Sequence, residues 1–340
     1  MSFPVIVIGL SAGGMQPLRK IIASFPADLG AAVLVVQHIP AHAKSNLAEI
    51  LRQRSKIRVK QAEHGEVLEK NTVYTPTSDR HLLVENDHIL ITRGPKENRF
   101  RPAIDALFRS VAYHYGPRTI GVVLSGALND GAAGMYTINR LGGHTIVQAP
   151  EEADFPDMPR SVVEYVNVDE TLPTAEIATS LIELCRTYTH QHQSLVAMED
   201  KERELIRLEI KIAQGKDALG NGILEQGHFT PLTCPDCNGA MTEIGHGPVI
   251  RYRCHTGHAH TAETLLTGID DGVERNMWAA MRGMEEGVIL LRAMAAHLEV
   301  QGEEERAQQL QLRAKRLKIL SQRTKDAIQE VNLDTENMIS

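Results

Sequence analysis

Residues 4–14 read Pro4-Val5-Ile6-Val7-Ile8-Gly9-Leu10-Ser11-Ala12-Gly13-Gly14. A continuous apolar run of this kind suits a strand buried on both faces of a parallel sheet. A helical pattern then runs from Met15 to Phe25 and is stopped by Pro26. The small residues around Ser11 allow a sharp strand-to-helix turn without steric conflict. That turn lies at the carboxyl end of a strand, where doubly wound folds bind ligands. A nucleophile elbow, which lifts a hydroxyl above the sheet edge, and a plain turn both fit this segment. A phosphate-binding loop fits less well. Ser11 replaces the second glycine of G-x-G-x-x-G, and the Walker lysine is missing.

Moving outward, buried runs recur at Ala31 to Val36, Thr72 to Pro76, Thr119 to Ser125 and His144 to Gln148. His81–Glu85 and His88–Thr92 flank Asn86-Asp87, a two-residue hairpin signal. Strands alternating with helices predict an α/β domain with a doubly wound, mostly parallel sheet and one β-hairpin over residues 1–190. The character then changes. Residues 191–227 read as a charged helix, periodic from Leu195 to Gln214, and a glycine-rich linker. Residues 228–261 hold a cysteine–histidine cluster with the look of a small zinc ribbon. Residues 262–340 read as two long helices broken near Gln301-Gly302.

Composition narrows the function. Of 340 residues, 42% are hydrophobic and 23% charged, the balance of a folded protein rather than a disordered one. The net charge of −7 argues against bulk nucleic-acid binding. No run of 18 apolar residues occurs, so neither a spanning helix nor membrane insertion is expected. The apolar start has no basic region ahead of it and reads as a strand, not a signal peptide. A cytoplasmic location follows as the expectation, and four cysteines there do not make a disulfide scaffold.

Two further strand ends carry polar residues. His38 closes Val35-Val36-Gln37-His38, and Asp130 lies in Ser125-Gly126-Ala127-Leu128-Asn129-Asp130-Gly131 after another buried run. Alone, each has a bland explanation, a hydrogen-bonded strand-end histidine and a helix-capping aspartate. Together with Ser11 they make a complete set on one sheet edge. A serine needs a base, and the base needs a carboxylate to fix its tautomer.

Cys234-Pro235-Asp236-Cys237 and Cys254-His255-Thr256-Gly257-His258 form a C-x2-C-x16-C-x3-H pattern. Two knuckles presenting Cys234, Cys237, Cys254 and His258 suit one structural zinc, with His255 and His260 as alternative ligands. A redox C-x-x-C lacks the strand–helix context it needs, and Cys185 stands apart as a core residue. So short a segment cannot build its own core. Chelation is therefore expected to unfold this module while leaving residues 1–190 folded and active on a small ester.

Six motifs follow one another in the order found in the CheB methylesterase catalytic domain. They are GLSAGG at Gly9, VVQHIP at Val35, the segment from Tyr74 to Leu83, Phe100 to Phe108, LSGALNDGAAGM at Leu124, and Asp157-Met158-Pro159-Arg160. About residues 3–185 resemble that family, which hydrolyses γ-glutamyl methyl esters of chemoreceptor cytoplasmic domains and deamidates certain receptor glutamines. The resemblance implies a serine triad of Ser11, His38 and Asp130, with no cofactor for catalysis. It implies oxyanion donors at Ala12 and Ala127, and substrate contacts at Arg101 and Met158. Methylated chemoreceptor or another protein substrate is the implied partner. The cysteine-rich segment resembles ribbons appended to some CheB-like proteins, and the C-terminal helices offer a surface for self-association.

Departures from the family pattern also matter. Leu128 stands where the family has its second glycine, and Ala12 where it often has threonine or serine. No receiver domain precedes the motifs, so phosphorylation control in cis is not expected and the target need not be a standard chemoreceptor. A catalytically lapsed scaffold acting through ribbon and helices is the competing reading. A nucleotide-binding regulator is a third, weakened by the missing glycine fingerprint.

Overall fold

A computed structural model describes residues 3–43, 45–188, 198–245 and 247–339. Its first half runs β1 (Val5–Leu10), α1 (Met15–Ser24), β2 (Ala32–Gln37), α2 (Leu47–Arg52), β3 (Arg58–Gln61) and β4 (Thr72–Thr75). The hairpin β5 (His81–Glu85) and β6 (His88–Thr92) precedes α3 (Ile104–Tyr115), β7 (Thr119–Val123), α4 (Ala132–Arg140) and β8 (His144–Gln148). Then come α5 (Asp157–Tyr165), β9 (Glu170–Leu172) and α6 (Thr174–Thr187).

Seven strands form one sheet in the order β3-β4-β2-β1-β7-β8-β9, and every pairing is parallel. All six residues of β1 are buried, as the unbroken apolar run requires. Helices cover both faces and divide the core into two apolar clusters. One contains Val5 and Val7 with α3 and α4 residues such as Phe108 and Met135, the other Ile6 and Ile8 with α1 residues such as Leu18 and Ile22. This alternation along β1 is what a strand sandwiched between helix layers must show. The doubly wound α/β class with one hairpin stands. The sequence reading missed β3 and β9. Both are edge strands with exposed positions, so neither carries an unbroken apolar run.

The chain continues through α7 (Asp200–Ala213) to a four-stranded antiparallel sheet. Its strands are β10 (Gly227–Thr233), β11 (Ala240–Ile244), β12 (Arg251–Cys254) and β13 (Ala259–Thr261), hydrogen-bonded in that order. Two long helices follow, α8 (Ala262–Val300) and α9 (Glu304–Ile339), with Gly302 at φ +78° in the turn between them. The chain divides into two compact units, residues 1–265 and 266–340. In the second, Val288, Leu291 and Ala314 pack together with Leu310 and Leu317.

This division differs from the four segments read from the sequence. The boundary expected at residue 190, and the start of the helix expected from Leu195, lie outside the described residues. The described part of that helix, α7, is packed into the first unit. Leu205, Leu208 and Ile212 form an apolar cluster with Ala218 and Ile223. Thr92 of the hairpin donates its hydroxyl to the Ala213 carbonyl at 2.6 Å. The small sheet is likewise not a separate module on a linker, for reasons that lie in its buried charges.

Candidate active site

The carboxyl ends of β1, β2 and β7 meet where the strand order reverses, the switch point at which doubly wound sheets bind ligands. Ser11 follows β1, His38 follows β2, and Asp130 follows β7 after a six-residue loop. His38 Nδ1 lies 3.2 Å from Ser11 Oγ, and His38 Nε2 lies 2.7 Å from Asp130 Oδ2. The three residues thus form one continuous chain of hydrogen bonds. The geometry also assigns the tautomer. Nε2 must carry the proton donated to Asp130, which leaves Nδ1 bare to accept from Ser11.

The turn after β1 is shaped for this task. Gly13 sits at φ +73°, and a Cβ there would come within 2.5 Å of Ser125 Oγ. Ser125 ties the two loops together. Its carbonyl accepts from the Ser11 N–H at 3.0 Å, and its hydroxyl donates to the Ala12 carbonyl at 2.8 Å. Among the described residues no protein group accepts the N–H of Ala12 or of Ala127. Both are therefore free to donate to an oxyanion.

Asp130 is 1% exposed. Burial alone would raise its pKa, but hydrogen bonds from His38, the Ile104 N–H and Asn98 outweigh it and hold the carboxyl below the usual range. Ile104 donates to Oδ2 at 2.7 Å, and Asn98 Nδ2 and the Asp105 N–H donate to Oδ1 at 2.8 and 3.1 Å. Asp105 lies beside it, equally buried, and takes the second proton of the Asn98 amide at 2.8 Å. Burial, and then the Asp130 charge, push the Asp105 carboxyl up to about 7. Phe100 stacks flat on the imidazole of His38, ring centroids 3.6 Å apart and planes 5° from parallel.

The residues expected at the substrate mouth are placed differently. Met158 is fully buried, and a Cβ on Gly126 would collide with its sulfur, so it packs the loop that follows β7. Arg101 is half-buried and its charge is met. Its guanidinium donates to Asp79 Oδ1 at 2.6 and 2.9 Å and to the Gly94 carbonyl at 2.7 Å.

The profile of the CheB methylesterase family matches residues 6–181, just over half of the chain. The chain belongs to that family. A Methanosarcina mazei CheB relative, named protein-glutamate methylesterase/protein-glutamine glutaminase 2, is 38% identical over 190 residues, 54% of this chain and 52% of its own. A Leptospira interrogans protein is 37% identical over 185 residues, covering 54% of this chain and 96% of that one. The crystal structure of the Thermotoga maritima CheB methylesterase catalytic domain superposes with a TM-score of 0.52 at 35% identity, over 54% of this chain and all of that one. The chain spans about half the length of the Methanosarcina protein.

Beyond the CheB match, Cys234, Cys237, Cys254 and His258 place their ligand atoms within 4.8 Å of one another. Bonds of about 2.3 Å to sulfur and 2.0 Å to nitrogen give tetrahedral edges of roughly 3.5–3.8 Å. The Cys237–Cys254 Sγ separation is 3.7 Å, and Cys254 Sγ lies 3.7 Å from His258 Nδ1. The donor set fits zinc. His255 is not in this group of four. His260 pairs instead with Asp236, Nε2 to Oδ2 at 3.2 Å.

A buried ionic cluster joins the CheB domain to the small sheet. Glu97, in the loop before α3, receives a bidentate pair from Arg109 of α3 at 2.9 and 3.3 Å and another bond from Arg253 of β12 at 3.0 Å. Glu209 of α7 accepts from Arg253 at 2.9 Å and from Arg251 at 2.8 and 2.9 Å. Both carboxyls stay ionised against burial because these guanidiniums surround them. Two carboxylates thus bind three arginines drawn from α3 and β12. Sequence reading passed over all five residues. The available signal was charge set inside apolar pattern, as in Leu107-Phe108-Arg109 and Leu208-Glu209-Ile210. These contacts speak against the expectation that residues 1–190 are independent of the ribbon, because its unfolding would strip Glu97 of Arg253 and Glu209 of Arg251 and Arg253.

Proposed function

We propose that the protein is a serine ester hydrolase, a protein-glutamate O-methylesterase acting in chemotaxis-like signalling. The observation that carries this is the unbroken Ser11–His38–Asp130 chain at the switch point of a CheB-family sheet. Ser11 Oγ attacks the ester carbonyl as His38 Nδ1 takes its proton. The N–H groups of Ala12 and Ala127 are offered to the developing oxyanion. His38 returns the proton to the methoxy group, methanol leaves, and an acyl-enzyme remains. Water, deprotonated by the same nitrogen, releases the glutamate side chain and restores Ser11. An amide in place of the ester would lose ammonia instead, which is glutamine deamidation. No step draws on a cofactor.

The substrate class is a methylated chemoreceptor or another protein bearing γ-glutamyl methyl esters, with a cytoplasmic location to match. No described helix is long and apolar enough to cross a membrane. The cysteine–histidine group is proposed as a structural zinc site, held by Cys234, Cys237, Cys254 and His258, and the ribbon would be folded by that metal. Exposed Ile289, Leu290, Leu312, Ile319 and Leu320 on α8 and α9 support self-association through these helices. A lapsed scaffold is the weaker reading, since its active-site geometry would be free to decay. Methanol release from a methylated receptor fragment, wild type against Ser11→Ala, tests the proposal. Turnover is expected to fall by at least three orders of magnitude in the variant. Equal rates would remove Ser11 from the reaction.

A further inference from the structure

The small sheet approaches the triad through the loops before α3 and after β7. Residues 96–98 pair with the free edge of β13. Ala259 donates to the Lys96 carbonyl at 3.1 Å, and Asn98 donates its N–H to the Ala259 carbonyl at 2.8 Å. The chain then reverses tightly, with Glu97 and Phe100 exchanging both backbone hydrogen bonds. The two central residues, Asn98 and Arg99, sit at φ +51° and +74°. That conformation is tolerable for asparagine but strained for arginine, so neighbouring structure must hold it. On its two sides the turn presents Asn98 to Asp130 and Phe100 to His38.

Thr261 of β13 decides how Asn98 faces. Its backbone N–H donates to Asn98 Oδ1 at 3.0 Å, and the Thr264 hydroxyl donates to the same oxygen at 3.3 Å. With the oxygen engaged, the amide must turn its two N–H bonds toward Asp105 and Asp130. The Thr261 hydroxyl meanwhile donates to Asn129 Oδ1 at 2.6 Å, and Glu263 accepts from Asn129 Nδ2. Asn129 is the residue before Asp130 in the loop that carries Ala127. The asparagines beside the orienting carboxylate, Asn98 and Asn129, are thus both held by Thr261.

Thr261 in turn depends on the metal ligands. Cys254 ends β12, His258 precedes β13, and Cys254 donates its N–H to the His258 carbonyl at 3.0 Å. The second knuckle is therefore the turn that sets β13 in place. We propose that the cysteine–histidine ribbon is a positioning element for the triad. With zinc bound, its edge strand holds Asn98 and Asn129, and through them Asp130 and His38, so that metal loss lowers turnover. This rests on the esterase and zinc-site readings given above.

The test uses the full chain, reduced, with zinc removed by chelation and then restored. It follows hydrolysis of p-nitrophenyl acetate together with the low-field proton resonance of the His38–Asp130 hydrogen bond. Metal removal is expected to lower kcat at least tenfold, change KM less than twofold, and abolish the resonance. One equivalent of zinc is expected to restore both. A kcat within twofold after confirmed zinc loss would overturn the proposal. A Thr261→Val/Thr264→Val protein keeps shape, ligands and the Thr261 N–H bond to Asn98 but removes the hydroxyls that hold Asn129 and share Asn98 Oδ1; it is expected to lose five- to tenfold in kcat at unchanged zinc content. If stripping melts the main sheet, or if the chain binds less than a tenth of an equivalent of zinc, this variant decides, and an unchanged kcat overturns the proposal. If Ser11→Ala hydrolyses the ester as fast as wild type, the esterase reading is what has failed. The resonance then decides, and its persistence without zinc overturns the coupling.

Discussion

Arg253 and Glu97 lie 156 residues apart in the chain and form an ion pair of 3.0 Å, with side chains 0% and 2% exposed. Attraction between such charges does little more than offset the cost of removing them from water. Removing one partner, however, leaves the other buried and uncompensated. Glu97→Gln and Arg253→Met are each expected to destabilise the first unit by about 3–5 kcal/mol. The double variant should lose less than the sum of the two. Urea unfolding of all three proteins measures this, and strict additivity would show that the two side chains act independently.

The tautomer of His38 gives a sharper prediction. Asp130 accepts from Nε2, whereas an asparagine at this position can donate its NH2 to that nitrogen. Asp130→Asn should therefore favour the tautomer whose proton sits on Nδ1, facing Ser11. The fold should survive while kcat falls by roughly three to four orders of magnitude. Steady-state hydrolysis measures the loss. A drop of less than tenfold would mean that Asp130 does not set the tautomer.

Leu128 holds a left-handed backbone, φ +63°, in the loop that presents Ala127. An L-side chain pays roughly 1–2 kcal/mol for that conformation, and glycine does not. Leu128 is only half-buried, so little packing is lost on removing it. Leu128→Gly is expected to raise stability by about 1 kcal/mol, read as an increase in Tm, whereas Leu128→Ala should not. A less stable glycine variant would show that the leucine side chain contributes more than its backbone costs.

Asp105 sets a pH dependence. Its carboxyl is raised to about 7 in the folded protein, by burial first and then by Asp130, against an ordinary value of 3.8. Between those values the folded state binds the proton more tightly than the unfolded one. The group's contribution to stability is therefore fully present below about pH 4 and is lost as pH rises to about 7. Wild type should lose stability relative to Asp105→Asn over that window, and a carboxyl carbon resonance of Asp105 should titrate near neutrality. Parallel stability curves for the two proteins would contradict the shift.

Local pattern determined much of this protein. An unbroken apolar run needs burial on both faces, so β1, β2 and β7 could be read directly, along with the polar residues just beyond them. Knuckle spacing likewise marked Cys234, Cys237, Cys254 and His258, because donors three or four positions apart in a tight turn can face one point. Tertiary structure alone decided which His38 nitrogen faces Ser11, that Phe100 covers that ring, and that Arg101 and Met158 serve neighbours within the protein. It also decided that Glu97, Arg109, Glu209 and Arg253 share one buried site, and that Thr261 reaches Asn98 and Asn129. The physical reason is range. Periodicity along a chain reports which face of an element is dry. A buried charge or amide is satisfied by whichever group the fold brings to it, and here those groups lie as many as 166 residues away.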